Sequence, residues 1–131
     1  MKVNLNPGVT NIEIPYGEVK VVLVLRSTTS EEFCHFLKSR FKFGTAGGVM
    51  EDQSSSARIE FIDQLLLDIK VKDKEGNLGE AVFTDAQSGE EKPLTPETLD
   101  WKKYVLPSFK HAAAVVFEGV SAKMENAVLK N

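Results

Sequence analysis

The side chains able to do chemistry are few and stand apart. Cys34 is the only cysteine, and His35 and His111 are the only histidines, in a chain of 131 residues. Cys34 and His35 are adjacent, and adjacent positions on a helix do not face each other. A thiol nucleophile would need that imidazole within reach, and a carboxylate to orient it. His111 follows Phe109-Lys110 and precedes Ala112 to Ala114. A half-buried structural histidine is expected there rather than a base. Glu60 and Asp63 are imaginable as an acid–base pair or a metal site, but no histidine or third ligand accompanies them. A solvated helix face is the expected reading of both. Asp73-Lys-Glu-Gly76-Asn77 misses the calcium-loop pattern, because the required glycine falls at Leu78. The Gly- and Ser-rich stretch 44–56 lacks the Gly-Lys-Ser/Thr ending of a phosphate-binding loop. Zinc spacing, a nucleophile elbow, a dinucleotide fingerprint and a helix-turn-helix pair are all absent from the sequence. No catalytic residue, metal or cofactor is expected, and the weight moves to a binding role.

Bulk composition agrees with that direction. The chain is 42% hydrophobic and 27% charged with a net charge of -3, ordinary for one globular domain and too apolar for general disorder. Residues 1–50 carry +2, residues 51–94 carry -6 and residues 95–131 carry +1. Such a distribution makes an acidic, solvated middle rather than a nucleic-acid footprint. Lys38, Arg40 and Lys42 fit the negative end of a helix dipole. One cysteine permits no intrachain disulfide; beside Phe33 and Phe36 it reads as a small buried hydrophobe in a reducing compartment. The start of the sequence lacks the pattern of a secretory leader, and the longest apolar run, Val21 to Leu25, is too short to cross a bilayer. A cytoplasmic protein without membrane contact is expected.

The elements follow from periodicity. Residues 1–10 read as a loosely attached arm. Ile12 and Ile14 alternate in a short stretch, Tyr16-Gly17 supplies a turn, and residues 18–26 form the strongest strand signal. There Val19, Val21, Leu23 and Leu25 share one face. The β-branched crowding predicts a strand covered at least partly on both sides, paired in an antiparallel hairpin. The period then changes to 3.6. Thr28 with Glu31, or Thr29 with Glu32, makes a capping box ahead of the stripe Phe33, Phe36, Leu37 and Phe41. A second helix is predicted over 57–70. A third opens at Leu94-Thr95-Pro96-Glu97, with Thr95 as cap and Leu94 stapled onto Leu99. A fourth runs from Pro107 to Leu129, interrupted in propensity by Gly119. The expected fold is α+β: an N-terminal antiparallel β-hairpin packed against about four α-helices in a single domain over 1–131. The segment 125–131 is expected to be a flexible end.

The order of these features resembles the small tail assembly chaperones of long-tailed phages and prophages. The resemblance lies in Val19-Lys-Val-Val-Leu-Val-Leu-Arg26, Thr28-Thr-Ser-Glu-Glu-Phe33, Ala57-Arg-Ile-Glu-Phe61-Ile-Asp63, Leu94-Thr-Pro-Glu97, Trp101-Lys and Leu106-Pro-Ser-Phe109-Lys110, reaching Phe117-Glu118 through an alanine-rich helix. It covers roughly residue 12 to the end. It implies a non-enzymatic protein in the host cytoplasm that holds the long, helical tape measure protein while the tail tube polymerises, with the tube protein as a possible second partner and homo-oligomers allowed. The candidate partner-binding surface is whatever the core leaves uncovered of Phe109, Val116, Phe117, Val120 and Met124. A virion structural subunit, such as a tail or connector protein, and a small enzyme of unrecognised type are the alternatives. In many such relatives a ribosomal frameshift near the end of the gene yields a longer form. Lys130-Asn131 is then expected to be encoded as AAA-AAC within a slippery run. Sequencing the gene tests this: codons unable to slip, with no overlapping frame downstream, would count against the resemblance.

Overall fold

A computed structural model describes the backbone of residues 1–43 and 50–129, and the side chains of these apart from Phe43 and those from Val120 onward. Strands β1 (Val9–Tyr16) and β2 (Val19–Arg26) form the expected hairpin. The connection is the two-residue loop Gly17-Glu18, with Gly17 at φ +62°. A positive φ at the first loop position alone is the type II′ arrangement, whose twist matches that of the strands. Ser27 N donates to Gly8 O, so the hydrogen-bonded positions of β1 are the even ones. Pro15 therefore lacks its N–H where the free edge faces outward, the position an edge strand tolerates.

Helix α1 (Ser30–Ser39) follows, opened by Thr29 rather than Thr28. Thr29 Oγ1 accepts from Glu32 N at 3.1 Å, and Thr29 N donates to Glu32 Oε1 at 3.0 Å. A small ribbon of β3 (Phe41–Phe43) and β4 (Met50–Asp52) leads to α2 (Ser54–Leu65); of the stretch 44–56, expected as a mobile loop, residues 44–49 lie outside the described residues, and the rest is corrected to strand β4 and the start of α2. The expected helix over 57–70 is corrected here. It stops at Leu65, and the chain continues without a loop into strand β5 (Leu66–Lys72). The run Leu65-Leu66-Leu67-Asp68-Ile69 satisfies both periods; the unpaired side of β2 decides it, because β5 fills that edge antiparallel. The sheet gains a short fourth strand, β6 (Leu78–Gly79), in the order β1-β2-β5-β6.

A second ribbon, β7 (Val82–Thr84) with β8 (Glu91–Pro93), precedes the other correction. Residues 94–100 form turns instead of a helix, and only a 3-10 turn over Trp101–Tyr104 follows, entered through Asp100 at φ +54°. Leu94 is buried and Leu99 is 85% exposed, so no staple closes that segment. Helix α3 (Pro107–Leu129) ends the fold, and its backbone stays helical over most of the segment 125–131. Among the described residues there are thus three α-helices and a four-stranded sheet, not a hairpin with four helices. The class remains α+β.

The core lies on one face of the sheet. Ile12, Val21, Leu23, Leu25, Leu66 and Ile69 meet Phe36, Phe61, Ile62, Leu65 and Ala113 from the helices. Phe61 is the hub: it stacks on Phe36 with centroids 4.5 Å apart and meets Phe117 edge-on at 5.6 Å. Such pairs add about 0.5–1.5 kcal/mol each beyond burial. The other face carries an ionic ladder, Glu13 with Lys20 at 3.4 Å and Lys72 at 2.9 Å, although Val22 on that face is also buried. Leu23 is fully buried at the centre of the core. Leu23→Ala is expected to destabilise the chain by about 2–5 kcal/mol through the cavity it leaves, read as a lower urea midpoint; a shift below about 0.5 kcal/mol would contradict this placement of the core.

Candidate functional site

The side chains with possible chemistry are separated by the fold. Cys34 is exposed on α1, correcting the expectation of a buried thiol: the inward stripe passes through Phe33, Phe36 and Leu37 and leaves position 34 outside. Cys34, His35, Glu31, Glu32, Lys38 and Gln64 border a shallow depression of about 450 Å³. Its one strongly held carboxylate is already engaged. Arg26 at the end of β2 grips Glu32 with two bonds of 2.8 and 2.6 Å, and Thr29 completes the cap. The Arg26 guanidinium, followed by the Thr29 amide, holds the Glu32 carboxyl down to about 2 from the ordinary 4.5. A carboxylate so occupied closes a strand–helix corner and is no general base. Among the described residues no group of three or more His, Cys, Asp and Glu side chains could hold a metal ion.

His111 is half-buried on α3 and faces α2. Arg58 forks Glu118 through Nε and Nη2 at 2.9 and 3.0 Å, and its Nη1 lies 3.1 Å from His111 Nε2. A guanidinium has no acceptor, so the imidazole nitrogen accepts. Arg58 likewise lowers the Glu118 carboxyl. One turn further along α2, Asp63 Oδ1 lies 2.7 Å from Nζ of Lys110 on α3, a side chain only 3% exposed. That contact is held by charge, since Asp63 Oδ1 has no partner in hydrogen-bond alignment. Lys102 donates to the Asp63 backbone oxygen at 2.6 Å. Of the imagined Glu60–Asp63 pair, Glu60 is exposed and Asp63 is committed to lysines. These groups fasten helices together.

Two apolar surfaces remain. The first is a groove of about 310 Å³ at the Tyr16 end of the sheet. Val71, Val82, Tyr104, Leu106 and Phe109 are among its walls, with Glu80 at its rim. Phe109 meets Tyr16 edge-on at 5.4 Å, and Phe83 stacks on Tyr104 at 4.2 Å to hold the β7–β8 ribbon against the 3-10 turn. The second is the outer side of α3. Val115 and Val116 are each 46% exposed, and Gly119 has nothing within 4 Å of where a Cβ would stand. With Ala112 they fall at i, i+3, i+4 and i+7, one continuous stripe.

The expected partner-binding residues are therefore distributed. Phe109 lines the groove, Val116 lies on the outer stripe, and Phe117 turns inward onto Phe61. The side chains of Val120 and Met124 lie outside the described residues. Sequence reasoning missed Val115, because a stripe chosen for the core left it out, and missed the groove, whose walls come from segments distant along the chain. No protein-family model, curated protein or solved structure matches the chain, and no helix among the described residues is long and apolar enough to cross a membrane.

The Glu32 clamp sets a pH signature. Its folded-state pKa is depressed, so ionised Glu32 contributes fully above about pH 4.5, and that contribution is lost as the pH falls toward 2. Glu32→Gln is expected to lower stability at pH 7 and to flatten the pH dependence of the urea midpoint between those limits. Parallel curves for the two proteins would remove the clamp from the account.

Proposed function

We propose that the chain is a non-enzymatic tail assembly chaperone of a long-tailed phage or prophage, which holds the tape measure protein in the host cytoplasm before the tail tube closes around it. One observation carries the reading beyond the order of sequence features. Over Lys110–Gly119, helix α3 turns its ionisable side chains inward, beside the core residues Ala113, Ala114 and Phe117, and leaves an apolar stripe outside. Its ionisable side chains Lys110, His111 and Glu118 turn toward Asp63 and Arg58 of α2, while Ala112, Val115, Val116 and Gly119 face outward. An ordinary surface helix keeps its charged side chains on the outer side.

A flat stripe of small side chains lets a second helix approach closely, and the resemblance implies a long helical client. Apolar side chains at i, i+3, i+4 and i+7 are the spacing by which one helix reads another. The engagement of Glu32, Asp63 and His111 in structural contacts supports a role without turnover. The tail tube protein is the proposed second partner, and nucleic acid has no place in this reading.

Co-expression with the tape measure protein of the same genome tests the proposal. Wild-type chain is expected to keep that protein soluble and to co-purify with it. Val116→Asp should abolish co-purification while moving stability by no more than about 0.5 kcal/mol, as exposed positions do. Gly119→Ala separates the roles of the stripe: an added methyl in open space should stabilise the isolated helix by roughly 0.5–1 kcal/mol and still weaken capture. Undiminished capture by Val116→Asp would overturn the proposed surface. Retention of the chain in purified virions would replace the chaperone by a structural subunit.

A further inference from the structure

Residues 1–8 carry a pattern that the rest of the molecule does not use. Met1, Val3 and Leu5 alternate with Lys2 and Asn4, so an extended backbone places the three apolar side chains on one side and Lys2 on the other. All three are exposed, at 116, 65 and 90%. Three apolar side chains in strand spacing, left in water, form half of an interface. The groove beside Tyr16 is the complementary half: its rim residues Tyr16, Val82 and Leu106 are each about half exposed or more, at 58, 49 and 51%. Glu80 stands at that rim, and neither Glu80 nor Lys2 has an ion-pair partner among the described residues.

Met1–Leu5 as a whole cannot lie in the groove of its own chain, because Leu5 falls short of it. It leaves the sheet at the Val9 end of β1, next to Arg26, whereas the groove lies toward the Tyr16 end, next to Val19. Seven residues of strand separate Val9 from Tyr16, about 23 Å. Leu5 stands four residues before Val9, a reach of about 14 Å at full extension. Two successive side-chain turns shorten it further, with Asn4 Oδ1 accepting from Asn6 N and Asn6 Oδ1 from Gly8 N.

We infer that Met1–Leu5 of one copy docks into the Tyr16–Phe109 groove of a second copy, with Lys2 meeting Glu80. Arm and groove are different surfaces, so the contact is head-to-tail. Each docked copy still offers a free arm at one end and a free groove at the other, and the chain of copies grows until it closes into a ring or continues as a filament. The client stripe takes no part: Val116 lies two turns, about 10 Å, beyond Phe109 along α3 and does not line the groove. The inference is therefore independent of the client.

Sedimentation of the full chain across a concentration series is the experiment, with circular dichroism to verify folding of each variant. Wild type should form concentration-dependent oligomers. The arm variant Val3→Asp/Leu5→Asp and the groove variant Leu106→Asp should each sediment as monomers, with association weakened roughly tenfold or more. An equimolar mixture of these two contains one intact arm type and one intact groove type, and should give a 1:1 dimer that grows no further. Lys2→Glu should weaken association, and Lys2→Glu/Glu80→Lys should restore it. Monomeric wild type, a mixture that stays monomeric, or oligomers that persist in both surface variants would each overturn the inference. Val116→Asp should leave self-association unchanged, which keeps a failure here distinct from a failure of the client surface.

Discussion

The junction at Leu65 and Leu66 fixes the rest of the molecule. A helix that becomes a strand without a connecting residue has no slack, so the rotation of α2 and the register of β5 are set together. Leu65 ends the helix fully buried, Leu66 begins the strand 2% exposed, and Phe61 and Ile62 precede them in the same core. A register slip of one residue in β5 would turn Leu66 and Ile69 to the ionic face of the sheet, and would drag Phe61 out of its stack with Phe36. The irregular pairing where Leu66 meets Leu25, after Asp68 meets Val24, is the local adjustment that lets both elements keep their buried sides.

Two ionic contacts then hold α3 against α2. Neither is a strong source of stability by itself, because removing charge from water offsets much of the attraction between partners. Their effect is on arrangement. The Arg58 fork accepts only one placement of Glu118, and Lys110, with almost no access to water, has Asp63 as its counter-charge. Losing one partner would leave a charge buried without compensation, so α3 has little freedom to roll. Fixing the rotation of α3 also fixes which of its residues face outward.

Much of this was legible from local patterns. The β1–β2 hairpin was readable because Val21, Leu23 and Leu25 alternate and Gly17 marks the turn. The capping box was readable as one of two overlapping choices, and only the position of Arg26 on β2, which sends its guanidinium to Glu32, selects Thr29. What failed did so where a local signal has two solutions. The leucine run at 65–67 fits helix and strand alike, and the demand of β2 for a neighbour decides between them. Thr95-Pro96-Glu97 has the chemistry of a helix start. The exposed Leu99 gives such a helix nothing to pack, and Trp101 reaches the core through the left-handed Asp100 instead. The candidate surfaces were the least legible part. Phe109, Val116 and Phe117 read as one stripe, yet the ion pairs to α2 decide the rotation that separates them.

The charges on the inner side of α3 and the apolar stripe on its outer side are informative because each is unfavourable in an isolated chain. Turning Lys110 and Glu118 inward costs desolvation that well-packed apolar residues would avoid. Leaving two valines at nearly half exposure forgoes a gain of the order of 1 kcal/mol for each, and an interior glycine costs about as much again. The same three features become favourable together once another helix covers the stripe: the inward charges fix the helix rotation, the valines are buried, and the missing side chain at 119 admits a close backbone. The unfavourable terms lie in solvation, which is the kind of cost that the proposed partner helix would remove.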